Sequence, residues 1–195
     1  MAVSDIALCG NALIRLGAEP ITAFEEGTAE ADIAGALYPV VRDGLLSAYP
    51  WSFATAQRVL AQLSGTPVAD FAFAYQLPAD FLRSLSLGVS GEGRYPASGR
   101  GAAFRIHERR IHTNVEMPVL TYIFRPSESA FPPYFDKALT DRLSAEFCLP
   151  ITENTARADL LHKLAEHSFQ QAKTADAQGQ SPQRIEDFTL IEARG

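Results

Sequence analysis

Residues 45–54 read Leu45-Leu46-Ser47-Ala48-Tyr49-Pro50-Trp51-Ser52-Phe53-Ala54, and residues 75–82 read Tyr75-Gln76-Leu77-Pro78-Ala79-Asp80-Phe81-Leu82. The first stretch is where the chain changes period. A helical pattern runs into Pro50, which has no N–H and a fixed φ, so the helix stops there. The only tryptophan, Trp51, follows at once. Trp51 and Phe53 can each bury a large apolar area at this seam. Beyond them the spacing turns strand-like. The seam therefore separates a helical part from a β part, and no catalytic group lies in it.

Upstream, Ser4 or Asp5 can accept a bond from a free backbone N–H and cap a first helix. Ile6, Cys9, Leu13 and Leu16 recur at helical spacing, and Gly17 ends the run. Thr28 caps a second helix, with Glu30 and Asp32 in its first turn where the helix dipole favours negative charge. Its expected buried stripe is Ile33, Leu37, Val40, Val41 and Leu45, with a kink near Gly35 imposed by Pro39.

Downstream, Phe71, Phe73 and Tyr75 alternate with Ala72, Ala74 and Gln76, as a strand requires. Leu82, Leu85 and Leu87 lie on the next segment. Residues 88–101 are rich in Gly, Ser, Pro and Arg and read as a long loop. Phe104 to His107 and Arg110 to Thr113 flank Glu108-Arg109 as a hairpin. Val119 to Phe124 is a further strand. Pro132 and Pro133 open a third helix, where proline is tolerated. Its apolar face is Phe135, Ala138, Leu139, Leu143 and Phe147, and Pro150 is expected to end it. Asn154 or Thr152 caps a fourth helix with Leu160, Leu161, Leu164, Ala165, Ala172 and Ala175 inward, stopped by Gly179 and Pro182.

The expected fold class is α+β. Residues 1–52 and 127–179 form a helical bundle, residues 53–126 an inserted antiparallel β subdomain, and residues 180–195 an extended C-terminal arm. The composition is that of an ordinary soluble chain. Of its 195 residues 47% are hydrophobic, and 17 Lys and Arg stand against 23 Asp and Glu. A net charge of −6 leaves no global basic footprint for nucleic acid. Cys9 and Cys148 fall inside helices and read as small core groups. No secretory leader and no run long enough to span a bilayer is expected from the sequence.

The stretches around Pro50-Trp51-Ser52-Phe53-Ala54 and Tyr75-Gln76-Leu77-Pro78-Ala79-Asp80 resemble the tail tubular protein A family, the head-to-tail adaptors of short-tailed bacteriophages. The resemblance continues through Tyr122-Ile123-Phe124-Arg125, through Phe131-Pro132-Pro133-Tyr134-Phe135-Asp136-Lys137-Ala138-Leu139, and into the helix ending Ala172 to Asp176. It spans roughly residues 3–182 and does not include residues 88–103 or the last dozen. It implies a structural connector in the virion, made in the bacterial host cytoplasm. That connector is a ring of twelve copies between the portal protein and the tail nozzle or tube. Double-stranded DNA would pass through its lumen without sequence-specific contact, and no cofactor, metal or membrane is implied.

Charge adds a candidate surface. Between Arg94 and Arg125, six arginines against Glu108 and Glu116 give about +4, leaving about −10 for the remainder. Arginine suits bidentate pairing with carboxylate or phosphate. Arg105, Arg109 and Arg110 are the expected contact with the tail side. The C-terminal arm carries Ile185, Phe188, Leu190 and Ile191, unlike the polar termini of most chains, and is expected to dock on the portal or a neighbouring subunit. His162 and His167 fall on different helical faces, and no HExxH or CxxC spacing occurs. Two other classes remain open. A virion peptidoglycan hydrolase would need a raised-pKa acid facing a second carboxylate, with Asp80, Glu108 and Glu116 as candidates by location. A cytosolic α+β binding module would need neither.

Overall fold

The computed structural model describes residues 4–65, 67, 70–89 and 101–179. They form four helices and two small antiparallel sheets, a mixed α+β chain. The described residues divide into two units: residues 4–54 with 125–179, and residues 55–124.

In the first unit, α1 (Asp5–Leu16) is capped by Ser4, whose hydroxyl accepts from the Ala7 N–H. It ends at Gly17 with φ +81°, a left-handed position that a Cβ would strain. Helix α2 (Ala29–Ala48) starts on Thr28, which accepts from the Ala31 N–H, and runs unbroken through Pro39 to Tyr49. A 3-10 turn, Ser52–Ala54, follows. Helix α3 (Pro133–Thr152) begins on the expected prolines, and α4 (Thr155–Gln178) begins on Asn154, which accepts from the Arg157 N–H.

Trp51 is fully buried. Its indole N–H donates to the Leu45 carbonyl at 3.0 Å, and its ring lies against Tyr49, Phe53, Tyr134, Phe135 and Phe169. Helix α3 packs on α1, α2 and α4, and its whole expected face, Phe135, Ala138, Leu139, Leu143 and Phe147, is buried. Arg157 donates to the Leu16 and Arg15 carbonyls, filling acceptors left open at the end of α1.

Three expectations in this unit are corrected. Helix α2 does not bury Ile33, Leu37, Val40, Val41 and Leu45. It buries Ala31, Ala34, Tyr38 and Leu46, and Val40 is 68% exposed. The helix is turned by roughly a quarter turn from the expected stripe, whose Ile33, Leu37, Val41 and Leu45 are half-buried, because two alanines allow close approach and Tyr38 finds a partner there. Its hydroxyl donates to Glu128 at 3.0 Å. Helix α4 buries Ala165 and Ala172 as expected, together with Ala158, Ser168 and Asp176, but Leu160 and Leu164 face outward. Pro150 does not end α3. It sits in the last turn and removes only one backbone donor, and the helix stops at Glu153, whose φ of +52° and N–H bond to the Leu149 carbonyl make the cap.

In the second unit, β1 (Thr55–Val59) and β3 (Phe81–Val89) pair with opposite edges of β6 (Pro118–Phe124), giving the order β1-β6-β3. The β3–β6 register shifts between Phe81 and Arg83 and again between Ser84 and Ser86. The other sheet is β2 (Phe73–Gln76), β5 (Arg110–Thr113) and β4 (Phe104–His107), in the order β2-β5-β4. Leu60, Tyr75, Leu77, Leu87, Ile111, Leu120 and Tyr122, drawn from both sheets, form the core of this unit. Gly88 and Val89, expected in a loop, extend β3. Gly101 lies so close to that strand that a Cβ would stand 2.9 Å from the Leu87 carbonyl oxygen, which explains glycine there. The rest of the expected loop, residues 90–100, lies outside the described residues.

Candidate functional site

The arginine-bearing hairpin is built as its sequence reads. Strands β4 and β5 pair Phe104 with Thr113 and His107 with Arg110. Two residues then remain for the turn, Glu108 and Arg109, with φ of +47° and +58°. Such a turn favours Asn or Gly at both positions, so the non-glycine pair here is held by contacts. The Arg109 guanidinium donates to the Pro78 and Ala79 carbonyls at 3.1 and 3.3 Å, and its own carbonyl accepts from the Leu77 N–H. Arg109 is therefore a fastener for the Gln76-Leu77-Pro78-Ala79-Asp80 segment and not simply a free rim charge.

Arg105 pairs with Asp70 at 3.0 Å, both exposed. Arg110 is exposed at the start of β5. Arg125 does not belong to the hairpin: it pairs with Asp43, which also takes the Arg42 Nε at 2.9 Å. Arg94 and Arg100 lie outside the described residues, as do Ile185, Phe188, Leu190 and Ile191 of the C-terminal arm.

The carboxylates considered for hydrolysis do different work. Asp80 accepts from the Tyr122 hydroxyl at 3.2 Å. Glu116 offers its backbone carbonyl, with that of Val115, to the buried Tyr75 hydroxyl at 2.7 Å. Glu108 stands at the hairpin tip. Burial pushes the Tyr75 and Tyr122 hydroxyls up from their ordinary values, so both stay protonated donors. Among the described residues no three His, Cys, Asp or Glu side chains converge as metal ligands, and no helix is long and apolar enough to cross a membrane.

Two polar assemblies in the first unit were not visible in the sequence. Asp176, buried near the end of α4, accepts from the Ser52 N–H, the Ser52 hydroxyl at 2.6 Å and the Tyr134 hydroxyl at 2.7 Å. Burial first, and then the bond to Asp176, push Tyr134 up to about 12. The second assembly ties the Glu128–Ala130 turn to α2. Glu128 takes the Tyr38 hydroxyl and the Arg42 guanidinium. Burial opposes its charge, but its own backbone N–H, Tyr38 and Arg42 hold the carboxyl below its usual value. Both assemblies are satisfied internally and act as fasteners.

One open feature of this unit is a groove of about 470 Å³ lined by Leu37, Val40, Val41, Leu45 and Phe169, with Arg142, Glu146 and Glu166 among its polar lining. Its α2 side is made by residues that the helix does not bury, Val40 among them. Ser52, just past α2, bonds Asp176, near the end of α4, so both helices finish at the same end of the unit. Arg142 and Glu146 pair at 3.0 Å. Glu166 takes the Gln170 amide at 2.6 Å and has no cationic partner among the described residues.

No protein-family model matches this chain, and no curated protein matches it.

Proposed function

We propose that the chain is a structural head-to-tail adaptor of a bacteriophage virion. It would form a ring, twelve copies on the resemblance, between portal protein and tail nozzle or tube, with DNA passing through the lumen. On this reading the four helices form a bundle, the β unit is inserted between its second and third long helices, and residues 180–195 form an extended arm.

One observation carries the reading. The stretches that resemble the adaptor family occur in order, and each supplies a fastener of its own unit. Trp51 fills the aromatic cluster of the helical unit. Tyr75, Asp80 and Tyr122 tie the β unit. Phe131 and Phe135 meet edge to face at 4.9 Å at the start of α3, and Asp176 closes α4 on Ser52. A scaffold held this way offers surfaces for assembly: the outward apolar faces of α2 and α4 and the hairpin with Arg105, Arg109 and Arg110.

An acidic remainder of the chain suits a conduit that does not hold the phosphate backbone. Two measurements test the proposal. Sedimentation of the purified chain should show a monomer or weak oligomer alone and ring-sized particles once portal is added. Electrophoresis in a peptidoglycan gel should show no clearing. Clearing that disappears in Glu108→Gln or Glu116→Gln would move the chain to the hydrolase reading.

A further inference from the structure

We infer that the outer face of the β4–β5 hairpin is a carboxylate-binding face that receives an extended acidic segment of another protein. The hairpin is an assembly surface on the adaptor reading, from which this proceeds, and its own side chains specify what it holds.

Strand alternation sorts the hairpin into two faces. Phe104, Ile106, Ile111 and Thr113 share one, and Ile111 and Thr113 are fully buried. Arg105, His107, Arg110 and His112 share the other. The first three are exposed and His112 is half-buried. The register sets Arg105 opposite His112 and Arg110 opposite His107. Cross-strand partners stand about 5 Å apart, and the two pairs about 7 Å apart along the strands. The imidazole centroids are 6.4 Å apart. Arg109 takes no part, since its guanidinium is spent on the Pro78 and Ala79 carbonyls.

Each pair offers a guanidinium fork and an imidazole to one acceptor. A stabilising cross-strand pair would set an acid against each arginine, and here a histidine stands in that place twice. Guanidiniums beside both rings favour an anion there over a metal cation. Asp70 shows the ligand type. It bonds Arg105 at 3.0 Å, with the two side chains 58% and 67% exposed. A pair so open contributes little and yields to a better placed carboxylate. The Arg110 guanidinium has no partner among the described residues.

Two seats about 7 Å apart match carboxylates on alternate residues of an extended chain, whose same-face side chains have that spacing. A segment with Asp or Glu at i and i+2, lying along the strands, sets one carboxylate on each pair. A phosphate backbone fits less well. Two arginines neutralise few phosphates, and the chain's net charge of −6 opposes a polyanion.

The test needs the full chain and a fluorescent peptide that alternates Glu with Thr, followed by anisotropy at low salt. That peptide should bind about tenfold tighter than an isomer whose Glu residues stand in adjacent pairs, and its Gln counterpart should not bind. Arg110→Gln should weaken binding about tenfold. Lys163→Gln, which removes an exposed charge of α4, should leave it unchanged. Asp70→Asn should tighten it severalfold by freeing Arg105, and Asn tolerates the φ of +68° there. All three positions are exposed, so each variant should melt like the wild type. Absence of peptide binding, or equal affinity for the two isomers, or equal affinity of wild type and Arg110→Gln, would overturn the assignment. So would a DNA duplex that displaces the peptide and loses its own binding in Arg110→Gln, because the ligand would then be phosphate. The titration contains no portal. A chain that binds the peptide but leaves portal bare keeps this face and loses the adaptor reading, and the reverse result removes the face alone.

Discussion

Helices α3 and α4 are neighbours of similar length, yet they spend their large side chains in opposite ways. Helix α3 buries Phe135, Leu139, Leu143 and Phe147. Helix α4 buries Ala158, Ala165, Ser168 and Ala172 and turns Leu160 and Leu164 to solvent. Helix α2 sides with α4, with Ala31 and Ala34 inward and Val40 outward. A central helix thus carries the core, while α4 approaches it through small residues and α2 through Ala31 and Ala34 together with Tyr38 and Leu46. Val40, Leu160 and Leu164 are the large apolar groups left outside on these two helices.

The largest effect should come from the group on which the helical core is centred. Trp51→Ala removes a fully buried ring that touches five others and a hydrogen bond to Leu45. It should lower stability by about 3–5 kcal/mol in denaturant melts. A loss under 1 kcal/mol would mean that the aromatic cluster is not the centre of this core.

The same substitution in two helices sharpens the contrast. Leu143→Ala in α3 should cost about 2–5 kcal/mol, since Leu143 is fully buried. Leu164→Ala in α4 should stay within about 0.5 kcal/mol, since Leu164 is 51% exposed. Equal costs would erase the distinction between core and flanking helix.

Asp136 gives a smaller, pH-dependent effect. One carboxylate oxygen is buried without a hydrogen-bond partner among the described residues, and desolvation pushes the group up to about 6. Its folded pKa lies above the unfolded value. Its favourable contribution is therefore complete below about pH 4 and is lost as pH rises through about 6. The first-turn position partly compensates, because the helix dipole favours the anion. Asp136→Asn should flatten stability between pH 4 and 6 and raise it at pH 7 by about 1 kcal/mol, allowing for solvent screening of a partly exposed group. Unchanged pH dependence would show that water or the dipole already satisfies the carboxylate.

What the sequence discloses follows the same division. Caps at Ser4, Thr28 and Asn154, the turn at Gly17 and the hairpin register around Glu108-Arg109 are local chemistry, and they are legible. So is the face of α3, because there the large side chains are the buried ones. The faces of α2 and α4 are misread because hydrophobic periodicity assigns large apolar residues inward, whereas alanines and a hydrogen-bonded Tyr38 do the burying. The arginine hairpin is visible as a charge cluster, but the grip of Arg109 on Pro78 and Ala79 depends on a segment some thirty residues earlier. The groove has no sequence signature, since it is made by what two helices leave outside.

The most direct measurement of the adaptor account is electron microscopy of the purified chain mixed with purified portal rings from the same virion. The account predicts an added collar of density on one end of the portal, with twelve-fold order, absent when the chain is omitted. Portal rings that remain bare at saturating concentrations of the full-length chain would contradict it.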